Sequence, residues 1–188
     1  MSLVRLHPEE DLRLHLAYAT ADNFTKAAVY RHAHCYLHRN AFEALQRARA
    51  LIRPLGLHIL IFDALRPVEA QWKLWDICPD PRFVADPRKG SPHGRGVALD
   101  LTLTTADGTP LDMGTPFDDF TPLSFHSCTD ISIEAQRNRL LLLGIMTAAG
   151  WDFYENEWWH YQLHRAKDYP LISDRDLPEP MMDLPNAA

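Results

Sequence analysis

Apolar positions along the chain change period several times, and each change marks an element. Asn40 followed by Glu43 has the spacing of a capping box, the reciprocal side-chain-to-backbone pairing that starts a helix. Phe42, Leu45 and Ile52 then fall on one helical face, and Pro54 and Gly56 stop it. The run 57–62, Leu-His-Ile-Leu-Ile-Phe, is short, apolar and rich in branched residues, which predicts a buried strand. Pro67 suits the first position of a second helix carrying Ala70, Leu74 and Trp75. Residues 97–103 predict another strand, entered through Gly94 and Gly96, and Asp107-Gly108 predicts a turn after it. Residues 132–149 form a long helical pattern closed by Gly150. The aromatic run Trp158-Trp-His-Tyr-Gln-Leu163 predicts a third strand. From Pro178 the chain is proline-rich and is expected to run irregularly over the surface. Strands interleaved with helices of unequal length give an α+β class, and 188 residues suit one domain spanning 1–188.

Composition narrows the function classes. Hydrophobic residues make up 46%, enough for a core. The longest apolar run, 140–146, is far short of the ~20 residues of a membrane span, so no membrane is expected. A net charge of −6 without a Lys/Arg cluster argues against nucleic acid as a partner. The first ten residues lack a basic stretch followed by an apolar one, so no export signal is expected. Cys35, Cys78 and Cys128 are odd in number and widely spaced, against a disulfide framework or a CxxC zinc site. Buried free thiols in a reducing cytoplasm are the expectation.

Two segments bring in the chemistry: Ser91-Pro-His-Gly-Arg-Gly-Val-Ala-Leu-Asp100 and Glu157-Trp-Trp-His160. His93, Asp100 and His160 offer two imidazoles and a carboxylate, a set that leaves an open position on zinc. Glu157 is a spare carboxylate suited to taking a proton from water. Side chains alternate along a strand, so His93 and Asp100, seven apart, agree only if His93 stands on the loop before the strand. Glu157 and His160 agree only if Glu157 lies in the turn before its own strand. Spacing alone leaves open a closed structural zinc site, or no metal at all. Arg66, between a strand and a helix, could project over the site or pair with Asp63 and hold the loop. Asp118 and Asp119, on a loop after the second strand, could clamp an ammonium or be solvated acids. The segment beginning at Tyr18 could line a site or pack.

The SxHxxGxAxD pattern (Ser91, His93, Gly96, Ala98, Asp100) and the ExWH pattern (Glu157, Trp159, His160) resemble the VanX-type zinc D-alanyl-D-alanine dipeptidases. These sit in a larger group with zinc D,D-carboxypeptidases and hedgehog-like domains. The likeness extends to Tyr18-Ala-Thr-Ala-Asp-Asn-Phe24, Phe62-Asp-Ala-Leu-Arg-Pro67, Pro79-Asp-Pro81 and Asp112-Met-Gly-Thr-Pro-Phe-Asp118, and so covers about residues 18–163. It implies an α+β domain whose central antiparallel sheet carries the zinc site between flanking helices. It implies one Zn2+ per chain on His93, Asp100 and His160, with Glu157 as the catalytic base and Arg66 stabilising the tetrahedral intermediate. Asp118 with Tyr18 would hold the substrate ammonium, and Ser91 would help bind the carboxylate end. A longer peptide would leave a neutral amide against an unpaired carboxylate, which is costly, so the implied partner is a free dipeptide; a homodimer stays open. The competing functions are a D,D-carboxypeptidase of the same fold and a zinc-bearing module without activity. Two departures from the family pattern, Leu65 before the Arg and Gly94 after the first His, bear on pocket polarity and substrate range.

Overall fold

The computed structural model describes residues 2–183. Seven strands and three helices occur among them: β1 (Leu3–Leu6), β2 (Leu12–Leu14), β3 (Cys35–His38), α1 (Arg39–Ile52), β4 (Leu57–Asp63), α2 (Val68–Ile77), β5 (Ala98–Thr105), α3 (Ile133–Ala148), β6 (Trp151–Phe153) and β7 (His160–Leu163). The class is α+β, as the pattern predicts. β1 and β3 form a two-stranded antiparallel pair, and the main sheet has the order β2-β4-β5-β7-β6. The sheet is mixed rather than wholly antiparallel, because β2 runs parallel to β4.

Register decides which residues face the site. Ile59, Ile61, Leu101 and Leu103 pair across β4 and β5, and Leu99 pairs with Tyr161 on β7. All are buried in the larger core, where α1 and α3 cover that face. Asp100 stands opposite His160, and Ala98 opposite Gln162, on the other face. Between Ile61 and Asp63 the register slips by one residue, so that Asp63 pairs with Asp100. This bulge moves Asp63 from the helix face to the face of Asp100 and His160. Three adjacent strands therefore present Asp63, Asp100 and His160 in a row.

The long helices follow their patterns, with corrected ends. The α3 cap is Ser132, whose Oγ accepts the Ala135 N–H at 3.0 Å. At its far end Gly150 adopts φ +94°, which suits a residue without a Cβ. The capping box expected at Asn40 does not form: α1 already starts at Arg39, and His38 Nδ1 caps it by accepting the Asn40 N–H. Pro67 is the cap of α2 rather than its first residue. Trp158 and Trp159, expected within the strand, lie in the turn before β7 and are buried in the larger core.

A second, smaller cluster packs beneath α2 from Tyr18, Tyr30, Tyr36, Leu65, Leu74 and Ile172. The tail corrects the expectation of a surface-bound segment. Met181 and Met182 are buried in this cluster, and their N–H groups donate to the Asp174 carboxylate at 2.7 and 3.3 Å. The part of the tail at 184–188 lies outside the described residues. All three cysteines are free, but only Cys35 is buried; Cys78 and Cys128 are half-buried.

Candidate active site

His93 sits on a 3-10 turn, His93–Arg95, immediately ahead of β5. Asp100 is inside β5, and His160 is the first residue of β7. Glu157 lies in the turn before β7, where its carbonyl accepts the His160 N–H at 3.2 Å. The parity argument therefore places all four residues where they are found. His93 Nε2, His160 Nδ1 and Asp100 Oδ1 form a triangle with sides of 3.1, 3.0 and 3.2 Å. Bonds of ~2.0–2.1 Å at tetrahedral angles would separate zinc ligands by about 3.3 Å, so the triangle has the dimensions of three corners of a zinc tetrahedron.

The outer nitrogens confirm the fit. His93 Nδ1 lies 2.7 Å from the Ala64 carbonyl and His160 Nε2 lies 3.2 Å from Gln162 Oε1. Each outer nitrogen faces an acceptor, so it carries the ring proton, and each inner nitrogen presents a lone pair. Two lone pairs and a carboxylate oxygen then converge on one point, an arrangement that a cation satisfies. All three residues are buried, and they are the one group with this metal-holding geometry found among the described residues.

Charged groups surround the triangle. Arg66 Nε donates to Asp63 Oδ2 at 2.9 Å, Nη1 donates to Gln71 Oε1 at 3.1 Å, and Nη2 is 3.6 Å from Asp100 Oδ2. Pairing with Asp63 and projecting over the site are thus both true of Arg66: the pairing aims it. Asp63 also accepts the Tyr30 hydroxyl at 2.9 Å. Burial pushes Glu157 well up, assisted by the charges of Asp100 and Asp118 and opposed by Arg66. Its Oε2 is 4.0 Å from His160 Nδ1, beside the triangle and outside it.

Asp118 adopts φ +60°, a conformation that Asp tolerates better than most side chains. Both its oxygens accept from the Tyr18 hydroxyl at 3.1 Å. Burial, with the Asp100 charge adding to it, pushes the Asp118 carboxyl up to about 7. Burial also raises Tyr18, so the phenol stays protonated and donates. Ser91 is buried, and its Oγ accepts the His93 N–H at 3.2 Å.

These residues line one cavity of about 240 Å³, which includes Tyr18, Arg66, Ser91, Asp118 and Glu157 with the three triangle residues. It is smaller than the ~300 Å³ at which pockets for drug-sized ligands begin. Residues 81–85 and Tyr154 also line it, and the Tyr154 hydroxyl donates to the Arg82 carbonyl at 3.0 Å. Leu65 and Gly94 do not line the cavity. Leu65 is buried in the smaller core, so the expected effect of these departures on pocket polarity does not arise. Reading the sequence missed Tyr30, Gln71, Tyr154 and Gln162. Only Gln162 had a signal: it stands two residues after His160, on the same strand face.

A free carboxylate beside such a triangle, with a fixed guanidinium in the same small cavity, is the equipment of a metallopeptidase. Comparison with known proteins gives the family. Residues 6–182 match the Peptidase M15 family model, described as D-ala-D-ala dipeptidase. The chain is 46% identical over 165 residues to a D-alanyl-D-alanine dipeptidase of Escherichia coli K12, covering 88% of this chain and 86% of the relative. It is 33% identical over 174 residues to the enzyme of that name from Enterococcus faecium, and 34% over 173 residues to one from Streptomyces coelicolor; both matches cover 81% of this chain and 86% of the relative. The chain belongs to the M15 D-Ala-D-Ala dipeptidase family and is a dipeptidase of the metallopeptidase class.

Proposed function

We propose that the protein is a zinc dipeptidase that hydrolyses free D-Ala-D-Ala, with one Zn2+ held by His93, Asp100 and His160. The observation that carries this reading is one small cavity in which the Asp118–Tyr18 pair, Arg66, Ser91 and Glu157 stand around the triangle, with the Arg66 guanidinium 4.9 Å from the centre of the Tyr18 ring. Bound there, zinc supplies Lewis acidity for the scissile carbonyl and lowers the pKa of water. Asp118, oriented by the Tyr18 hydroxyl, binds the substrate ammonium. Ser91 helps hold the carboxylate. Glu157 takes the proton of the attacking water on its carboxylate and passes it to the leaving amine. Its burial favours the protonated form that makes the second transfer possible. Arg66, already fixed by Asp63 and Gln71, needs no reorganisation to meet the developing oxyanion, where one such donor is worth roughly 3 kcal/mol. The D configuration is supported by the relatives' names alone.

Three free thiols support a cytoplasmic setting. Among the described residues, no helix is long and apolar enough to cross a membrane. The test is amine release from D-Ala-D-Ala, its L,L and mixed stereoisomers, and a muropeptide ending in D-Ala-D-Ala, with the zinc-loaded protein. Cleavage of the free D,D dipeptide alone is the expected outcome. Cleavage of the muropeptide but not the dipeptide would move the protein to the carboxypeptidase reading.

A further inference from the structure

Arg139 is a charged residue in the wrong place for a solvated helix face. It lies on α3 in line with Ala135, Leu142 and Met146, and is only 3% exposed. Among the described residues no carboxylate lies within ion-pair distance of it. Its guanidinium is spent on one loop instead. Nε donates to the Met113 carbonyl at 2.6 Å, and Nη1 donates to the carbonyls of Leu123 and Phe125 at 2.8 and 3.0 Å. Those carbonyls stand at the two ends of the loop that carries Asp118. Nη2 reaches Thr115 Oγ1 at 3.4 Å.

Thr115 connects this staple to the other side of the site. Its Oγ1 also accepts the Trp158 indole N–H at 2.9 Å, and Trp158 adjoins Glu157. Ser124 Oγ donates to the Asp119 carbonyl at 2.5 Å, so in its contact with Thr115, at 3.1 Å, it must accept. The chain of bonds therefore has one direction: Trp158 to Thr115, Thr115 to Ser124, Ser124 to the carbonyl of Asp119, the residue after Asp118. Two backbone bonds run alongside, from the Trp158 N–H to the Ser124 carbonyl at 3.1 Å and from the His126 N–H to the Glu155 carbonyl at 2.9 Å. The guanidinium also lies over the Trp158 ring, 5.9 Å from its centroid.

We infer that Arg139, acting through Thr115 and Ser124, is a positioning residue that locks the Asp118 loop to the Glu157 turn, given the roles proposed above for these two carboxylates. It touches no substrate. It sets the spacing between the group that holds the ammonium and the group that moves the proton. The left-handed backbone at Asp118 is what such a lock must maintain, since a free loop would relax it.

A pair of ligands separates positioning from general loosening. A phosphinate isostere of the dipeptide with a free amino group needs Asp118, and its desamino counterpart does not. Calorimetry on the zinc-loaded protein measures both, for the parent chain and for Thr115→Val, Ser124→Ala, Arg139→Lys and Arg139→Met. Thr115→Val and Ser124→Ala should weaken the amino isostere about tenfold, a usual size for one coupled contact, and the desamino isostere less than about twofold. Arg139→Met should do more, and Arg139→Lys should recover part of the loss. Equal loss for both ligands, or loss for neither, overturns the inference. Should Arg139→Met fail to fold, the two hydroxyl variants decide. A parent protein that neither binds the amino isostere nor cleaves the dipeptide overturns the proposed function itself, and this inference with it.

Discussion

Gln162 shows how much of a metal site can rest on a neutral residue beside it. Its Oε1 takes the outer proton of His160, which leaves the inner nitrogen free to bind. Gln162→Leu should therefore cost about 10–100-fold in zinc affinity, read by competition with a chelator, while Gln162→Glu should hold or raise it. Glu157→Ala should do the reverse: zinc stoichiometry stays at one per chain, and turnover falls by about 10²–10⁴-fold. Loss of zinc in that variant would make Glu157 a ligand or a prop. At this scale the sequence is legible where a side chain's role depends on its own type and spacing. His93, Asp100, Glu157 and His160 obey strand parity and can be placed without coordinates. Tyr30 and Gln71 act on Arg66 from remote parts of the chain, and no local pattern announces them. Arg139 had a readable clue, a cation inside the apolar stripe of the 132–149 helix, but its partners are carbonyls that carry no sequence signature.

Among the elements, the turn that presents His93 depends on Gly96. This residue has φ +67°, and a Cβ there would come within 3.1 Å of a Leu65 methyl and 3.2 Å of the His38 backbone nitrogen. Gly96→Ala should cost about 1–3 kcal/mol, the range for a side chain forced into that conformation. Gly94 has no such backbone, and its Cβ would meet a flexible Leu171 side chain at 3.2 Å, so Gly94→Ala should cost less. Urea midpoints of the two variants test this; equal costs would remove backbone conformation as the cause. The long helices, β4 and β5 were legible because each carries enough patterned residues to reveal itself, and β7, only four residues long, was legible from its aromatic content. β1, β2, β3 and β6, of three or four residues, exist because of their partners. The Phe62 bulge was hidden for a related reason: register belongs to two strands, and one strand's pattern cannot show a slip against its neighbour. Without the slip Asp63 would point at α1 and α3, and Arg66 would lose its anchor.

For the molecule as a whole, the N-terminal segment is tied to α1 by one ionic knot. Asp11 accepts from Arg53 Nε at 2.6 Å and from Arg49, which also binds Glu9. Bonding from Arg49, against the effect of burial, lowers the Asp11 carboxyl to about 2 from 3.8. A carboxyl depressed on folding stabilises the fold above its unfolded pKa, and that contribution disappears as pH falls toward the folded value. Asp11→Asn should thus lose about 2 kcal/mol at neutral pH. Thermal melts should show the gap between parent and variant narrowing from about pH 4 and closing near pH 2; a gap independent of pH would mean that packing, and not charge, is responsible.

The buried pair Met181 and Met182 has a consequence in time. During synthesis every candidate zinc ligand has been made once the ribosome passes His160, yet the cluster that holds Tyr18 still lacks Ile172, Leu177, Met181 and Met182. A nascent chain in that state has every candidate ligand residue but not the finished packing around the residue that orients Asp118. Completion of the layer that holds Tyr18 therefore waits for the segment reaching Met182.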